Sequence, residues 1–235
     1  MTKKKSTRFQ KVLVNVVAII LVLVALVLIF NRQLSRMMIH SYQPTVSAKM
    51  LAENKNKQAN YDFDKVNALD FQTVAKARLE HKSINAIGLL NIPSIGLNLP
   101  IANGLDNETL ALAAGTLKPN QKMGQANYAL ASHHVVAKDI LFGPLYWKSR
   151  PGQKIYLTDL KNVYEYTTYQ RKFIPATDVK VVDDVPGKQI ITLITCDDTG
   201  DKRLMVRGKF NKVYKYKDAP KEAIKGFTKS FKVLK

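Results

Sequence analysis

The run QIITLITC, residues 189–196, followed after the intervening DDTGDK by RLMVRGKF, residues 203–210, decides the fold of this chain. Ile, Leu, Val and Thr suit a pleated, half-buried surface, and the Asp197, Asp198, Thr199 and Gly200 cluster between the runs is turn chemistry. Two such runs across a short turn read as antiparallel strands, which returns the Arg203 end of the second beside Cys196 at the end of the first. Period-two alternation puts Arg203, Met205 and Arg207 on one face and Leu204 and Val206 on the other, and proximity to the turn singles out Arg203.

Working outward, the same texture starts at Ile84, where short Ile-, Leu-, Val-, Tyr- and Thr-rich runs alternate with Gly, Pro, Asn and Asp. Gly88–Leu105, Ala126–Val136 and Gln153–Ile174 are further strand candidates, the last a hairpin turning near Asp159–Asn162. Pro93 and Pro100 lack the N–H a ladder needs, so they belong to edges or bent ends. The expectation is an all-β domain over residues 83–211, closed or nearly closed into a barrel.

Upstream, VLVNVVAIILVLVALVLIF (residues 12–30) is apolar apart from Asn15 and long enough to cross a bilayer as a helix. It exceeds an ordinary signal-peptide core and no small-x-small site follows Phe30, so an uncleaved anchor is expected. Lys3, Lys4, Lys5, Arg8 and Lys11 precede it and Arg32 and Arg36 follow, which predicts a cytoplasmic tail (1–11) and an external remainder. Residues 31–82 read as a polar stalk, with Val66, Leu69, Val74 and Leu79 suggesting broken helix. The basic C-terminal tail, 212–235, holds a helix start near Asp218 and Pro220 with Ile224, Phe227 and Phe231 on one face.

The formal charge is +19, and removing residues 1–36 takes away seven basic and no acidic side chains, leaving +12 outside. Anionic partners are expected, but no nucleic-acid-binding motif is present, so a membrane or wall surface is the better reading. Cys196 is the sole cysteine, which excludes an internal disulfide and a multi-cysteine metal site.

A thiolate attacks carbonyl carbon well but needs a basic neighbour to form at neutral pH. Of the histidines, His40 and His81 lie in the stalk, while His133 and His134 end a strand of the β domain, where alternation lets only one face the chemistry. A buried, inert cysteine and a solvated strand arginine are the plainer alternatives. Neither HxxxH nor CxxC spacing occurs, so no metal site is expected, and no GxSxG elbow supports Ser132 as a nucleophile.

TLITCDD (192–198), RLMVRG (203–208), ASHH (131–134) and IPSIGLNLPI (92–101) together resemble the class A sortases, over residues from Ile84 to Phe210. The resemblance implies an eight-stranded β-barrel with short helices behind one N-terminal transmembrane helix. It implies a cysteine transpeptidase that cleaves an LPxTG-type sorting signal of surface-protein precursors between Thr and Gly through a thioester. The protein is then passed to an amine of the lipid-linked peptidoglycan precursor. By the same likeness Cys196 is the nucleophile, His133 its proton-transfer partner and Arg203 the oxyanion or substrate-backbone ligand, with His134 supporting and Arg207 structural. Ala131, Val179, Val181, Val182 and Ile194 match positions lining the groove for the Leu-Pro part, and Thr195 one beside the oxyanion. The loop Thr177–Asp184 matches a mobile lid. Some members bind calcium here, but Lys118, Gln121 and Gln125 stand where carboxylates would, leaving Asp184 alone, so no cofactor is expected. The alternative is a non-catalytic membrane-anchored wall-binding module, which predicts an inert thiol, and a cysteine hydrolase differs only in using water to resolve the acyl-enzyme.

Overall fold

The computed structural model of the chain describes residues 8–62, 66–67, 69–79, 84–134, 137–197 and 199–234. His81, the 82/83 boundary, the Val136 end of its strand run and most of the N-terminal tail lie outside the described residues.

Helix α1 (Arg8–Ile29) has 22 residues and none buried. At 1.5 Å per residue it is about 33 Å long, enough for a hydrocarbon core of about 30 Å. Helix α2 (Asn31–His40) follows after Phe30, buries Ile39 against the barrel core, and binds Asp139 through Arg36 at 2.7 and 3.1 Å. Strand β1 (Thr45–Ser47), α3 (Ala48–Asn54) and α4 (Phe71–Leu79) complete the stalk. Val74 is fully buried in α4, but Leu79 is 74% exposed at the helix end, so the four apolar residues do not share one buried face.

The barrel strands are β2 (Ala86–Ile92), β3 (Leu97–Ala102), β4 (Ala114–Thr116), β5 (Asn127–Ala131), β6 (Lys154–Thr158), β7 (Asn162–Pro175), β8 (Ile190–Cys196) and β9 (Lys202–Lys215). They close in the order β2-β3-β4-β5-β8-β9-β7-β6, with β2 pairing to β6. Short helices α5 (Asn107–Leu110) and α6 (Gly143–Lys148) sit on the connections. Gly88–Leu105 splits into two strands because Pro93 opens a 3-10 turn that Gly96 ends at φ 70°. Pro100 sits opposite Leu89, and β4 joins β3 only at Ile101 and Ala102, so the missing N–H faces no ladder partner. The alternation seen in the sequence points Tyr128, Leu130, Ile191, Leu193, Leu204 and Val206 into the core.

β9 extends to Lys215, four residues past the expected barrel end at 211, because its pairing with β7 continues to Asn162↔Lys215. The remaining tail folds as α7 (Lys221–Ser230) and β10 (Lys232–Leu234), the latter parallel to β1. Ala223, Phe227 and Phe231 pack on Leu89, Tyr156 and Val163 of the barrel wall, the two phenylalanines contributing about 2 kcal/mol each, while Ile224 is only partly covered. Asn91 Nδ2 donates to the carbonyls of Glu222 and Ala223, and a Cβ on Gly226 would lie 2.1 Å from that nitrogen, so the close approach requires glycine.

Candidate active site

The β8–β9 ladder sets Cys196 directly opposite Arg203, which puts the two side chains on one face, typically with about 5 Å between Cβ atoms. On the other side β5 runs parallel to β8, with Ala131 opposite Ile194. Continuing that register two residues brings His133 level with Cys196. The join persists beyond the strand end, since Ser132 N donates to Ile194 O at 3.3 Å and Thr195 Oγ1 donates to Ser132 O at 2.8 Å. The ladder thus pairs Cys196 with Arg203, and the chain entering His133 leaves β5 alongside the end of β8.

Burial pushes the His133 imidazole down to about 4 and raises the Cys196 thiol above its ordinary value. Arg203 pulls the thiol back down, and Asp197 pushes it up. Both shifts favour the neutral forms, imidazole and thiol. The Arg203 guanidinium donates to the carbonyls of Gly200 at 2.7 Å and Lys202 at 3.1 Å, holding it over the turn that follows Cys196.

The second histidine goes elsewhere, as alternation requires: His134 stacks on Tyr146 with ring centroids 4.1 Å apart. His133 O accepts from Phe142 N at 3.2 Å, fixing the loop that carries both. Ser132 is buried, with its hydroxyl committed to Ala113 O, which leaves it no role as a nucleophile.

By alternation Ile194 shares a face with Cys196 and pairs with Ala131; both are buried, Ala131 packing with Leu105 and Leu110, and a 3-10 turn, Val179–Val182, is bound at the Asn127 end of β5. This turn exposes Val179 at 70% and leaves Val181 and Val182 half-buried. Thr195 alternates away from the face of Cys196 and is 2% exposed. Its hydroxyl bridges β8 to the chain entering His133 rather than lining the groove.

Sequence reasoning missed Asn127. Its side-chain amide donates to Val181 O and Asp183 O, both at 3.0 Å, while its Oδ1 accepts from Thr192 Oγ1 at 2.7 Å. Arg207 donates to Val181 O at 2.7 Å, consistent with a structural role. Lys118 Nζ donates to Asp184 Oδ1, which holds that carboxyl below the usual range and also accepts from Asn127 N at 3.2 Å. Gln121 spends both ends of its amide on the Ala129 backbone. An ammonium on the one carboxylate and a committed amide do not fit a calcium site, and among the described residues no three His, Cys, Asp or Glu side chains converge.

A sortase domain model matches residues 90–211. The chain is 35% identical to sortase A of Streptococcus agalactiae, with 97% of each covered. It is also 35% identical to sortase A of Listeria monocytogenes over 85% of this chain and 92% of that protein. The solved Listeria monocytogenes sortase A structure superposes with a TM-score of 0.55 at 39% identity, covering 60% of this chain and 96% of that one. With a sortase domain matched over residues 90–211, relatives 35% identical over most of their length and a closed eight-stranded barrel, the chain belongs to the sortase family, as a class A cysteine transpeptidase that cleaves LPxTG-type signals.

Proposed function

We propose that Cys196 is the nucleophile, His133 its proton carrier and Arg203 the ligand of the reacting carbonyl. The pairing of Cys196 with Arg203, beside a parallel β5 whose register carried two residues further would reach His133, supports this reading. Sγ attacks the carbonyl carbon of the Thr–Gly bond as His133 takes its proton, and Arg203 steadies the oxyanion. The C–N bond breaks, the glycine amine leaves with the proton from His133, and the threonine carbonyl remains as a thioester on Cys196. An incoming amine attacks the thioester and gives a proton to His133, the new amide bond forms as the C–S bond breaks, and the departing thiolate of Cys196 takes the proton back from His133.

Ala131, Ile194 and the lid valines Val179, Val181 and Val182 would receive the Leu-Pro part, an apolar lining for an apolar segment. Thr195 would act at a distance by holding the His133 loop. Because Lys118 already neutralises Asp184, the lid is seated without calcium.

The acceptor is an amine of the lipid-linked peptidoglycan precursor, which lies at the same membrane. Arg8 and Lys11 in the first turn of α1, with the lysines preceding them, outnumber Arg32 and Arg36 beyond the apolar run, which supports a cytoplasmic N-terminus and an external barrel. The chain thus divides into a tail (1–11), anchor (12–30), stalk (31–82), catalytic barrel from 83 and a basic C-terminal segment.

The test is mass spectrometry of the full chain in detergent with an LPxTG peptide and a glycine-based amine. A ligated product that disappears in Cys196→Ala and His133→Ala and falls sharply in Arg203→Ala supports these roles. Ligation that survives His133→Ala at the parent rate overturns them.

A further inference from the structure

Lys221, Lys225 and Lys229 recur at every fourth residue of α7 and all three are exposed. At 3.6 residues per turn they form a stripe about 80° wide, diametrically opposite the buried Ala223 and Phe227. Glu222 is the sole acid on the helix, and its carboxylate accepts from Tyr156 OH at 2.5 Å. None of the three lysines forms an ion pair among the described residues. The buried face accounts for how α7 docks and leaves the purpose of its cationic face open.

The position of that face narrows its partner. β10 pairs with β1 in the register Thr45↔Lys232, which fastens the end of the chain to the segment just after α2. A cavity of about 280 Å³ has Ile39, His40 and Tyr42 along one side and Lys229, Ser230 and Phe231 along another. α2 is nearly continuous with α1, since Phe30 N bonds to Leu26 O and Leu34 N to Phe30 O, both at 2.9 Å. The C-terminal end of α7 is thus held beside a helix only about 15 Å long that leads out of the apolar segment. Exposed Arg32 adds to the positive charge along that path.

We propose that the lysine face of α7 rests on anionic phospholipid headgroups of the membrane that α1 spans, and so fixes the tilt of the catalytic barrel over the bilayer. This rests on the membrane-anchored reading given above. Each lysine near an anionic surface favours the docked orientation about fivefold, so three together favour it about a hundredfold, an effect that salt screens.

Trp147 is the sole tryptophan and sits on α6, beside the His133 loop, where it serves as an energy-transfer donor to dansyl-headgroup lipid. The full chain is reconstituted into phosphatidylglycerol-rich or pure phosphatidylcholine bilayers, as parent and as the Lys221→Gln, Lys225→Gln, Lys229→Gln triple variant. Transfer efficiency should differ between the two lipids for the parent, and that difference should vanish in the triple variant and in roughly 0.5 M salt. Equal transfer in both lipids for a parent that floats with them, or a difference the variant retains at an unchanged Tm, overturns the proposal. Retention of a soluble polyphosphate by these lysines without any lipid dependence would assign the face to a wall polymer instead and equally overturn it. Failure of the parent to float with either lipid contradicts the anchoring itself.

Discussion

Replacing Asn127 with Ala removes a side chain buried beneath the lid and separates two properties of the site. The amide holds the lid through Val181 O and Asp183 O at 3.0 Å each, and Val181 O keeps a second donor in Arg207 at 2.7 Å. A neutral hydrogen bond nets about 0.5–1.5 kcal/mol, and one of the two carbonyls is already partly served, so the seated lid loses about 1–2 kcal/mol. That is about a five- to thirtyfold shift toward an unseated lid, since a factor of ten is about 1.36 kcal/mol. The groove floor, Ala131 and Ile194, is untouched, and residue 127 lies about 20 Å along the strand from His133. KM for an LPxTG peptide should therefore rise about five- to thirtyfold while kcat stays within about twofold. Steady-state ligation kinetics measure both, with thermal unfolding as the check that the barrel is intact after Thr192 loses its acceptor. An unchanged KM, or a fall in kcat with KM unaltered, would refute the assignment of Asn127 to the lid and of the lid to the substrate.

Thr195→Val deletes the 2.8 Å bond to Ser132 O and should lower kcat about fivefold with little change in KM, because it loosens the His133 loop and spares the groove. Burial raises the Cys196 thiol, so the rate of its alkylation by iodoacetamide should climb with pH to a midpoint above that of an ordinary cysteine, and Arg203→Ala should move that midpoint higher still. A midpoint near neutrality would contradict the resting thiol–imidazole pair. Calcium or a chelator should leave ligation by the parent unchanged, as measured by product formation. Lys118→Ala should cost at most about fivefold in KM, the ceiling for an exposed ion pair of about 1 kcal/mol.

The β8–β9 pair was legible from residues 189–210 because alternation, an Asp-Gly-rich turn and a terminal cysteine all agree there. Cys196↔Arg203 follows from those features alone. The β5–β8 neighbourhood from which His133 leaves was not legible from spacing, since that parallel pairing joins segments more than sixty residues apart and leaves no local mark. β4 is three residues, Ala114–Thr116, too short for any periodicity to register. The β1–β10 pairing escaped for the same reason, compounded by lysine-rich surroundings that read as a solvated tail. Thr195 and Ile194 are neighbours on one strand and face opposite ways, so of the two only Ile194 shares the face of Cys196. Asn127 carried no signal, since its role depends on a lid more than fifty residues later in the chain.

The most direct test of the central claim is intact-mass analysis of the full chain mixed with an LPxTG peptide and no amine. The account predicts an added mass equal to the peptide through its threonine, located on Cys196, released by hydroxylamine and absent from Cys196→Ala. It also predicts that the adduct decays to ligated product when a glycine-based amine is added. Peptide cleavage at that bond by Cys196→Ala, or an adduct on any residue other than Cys196, would contradict it.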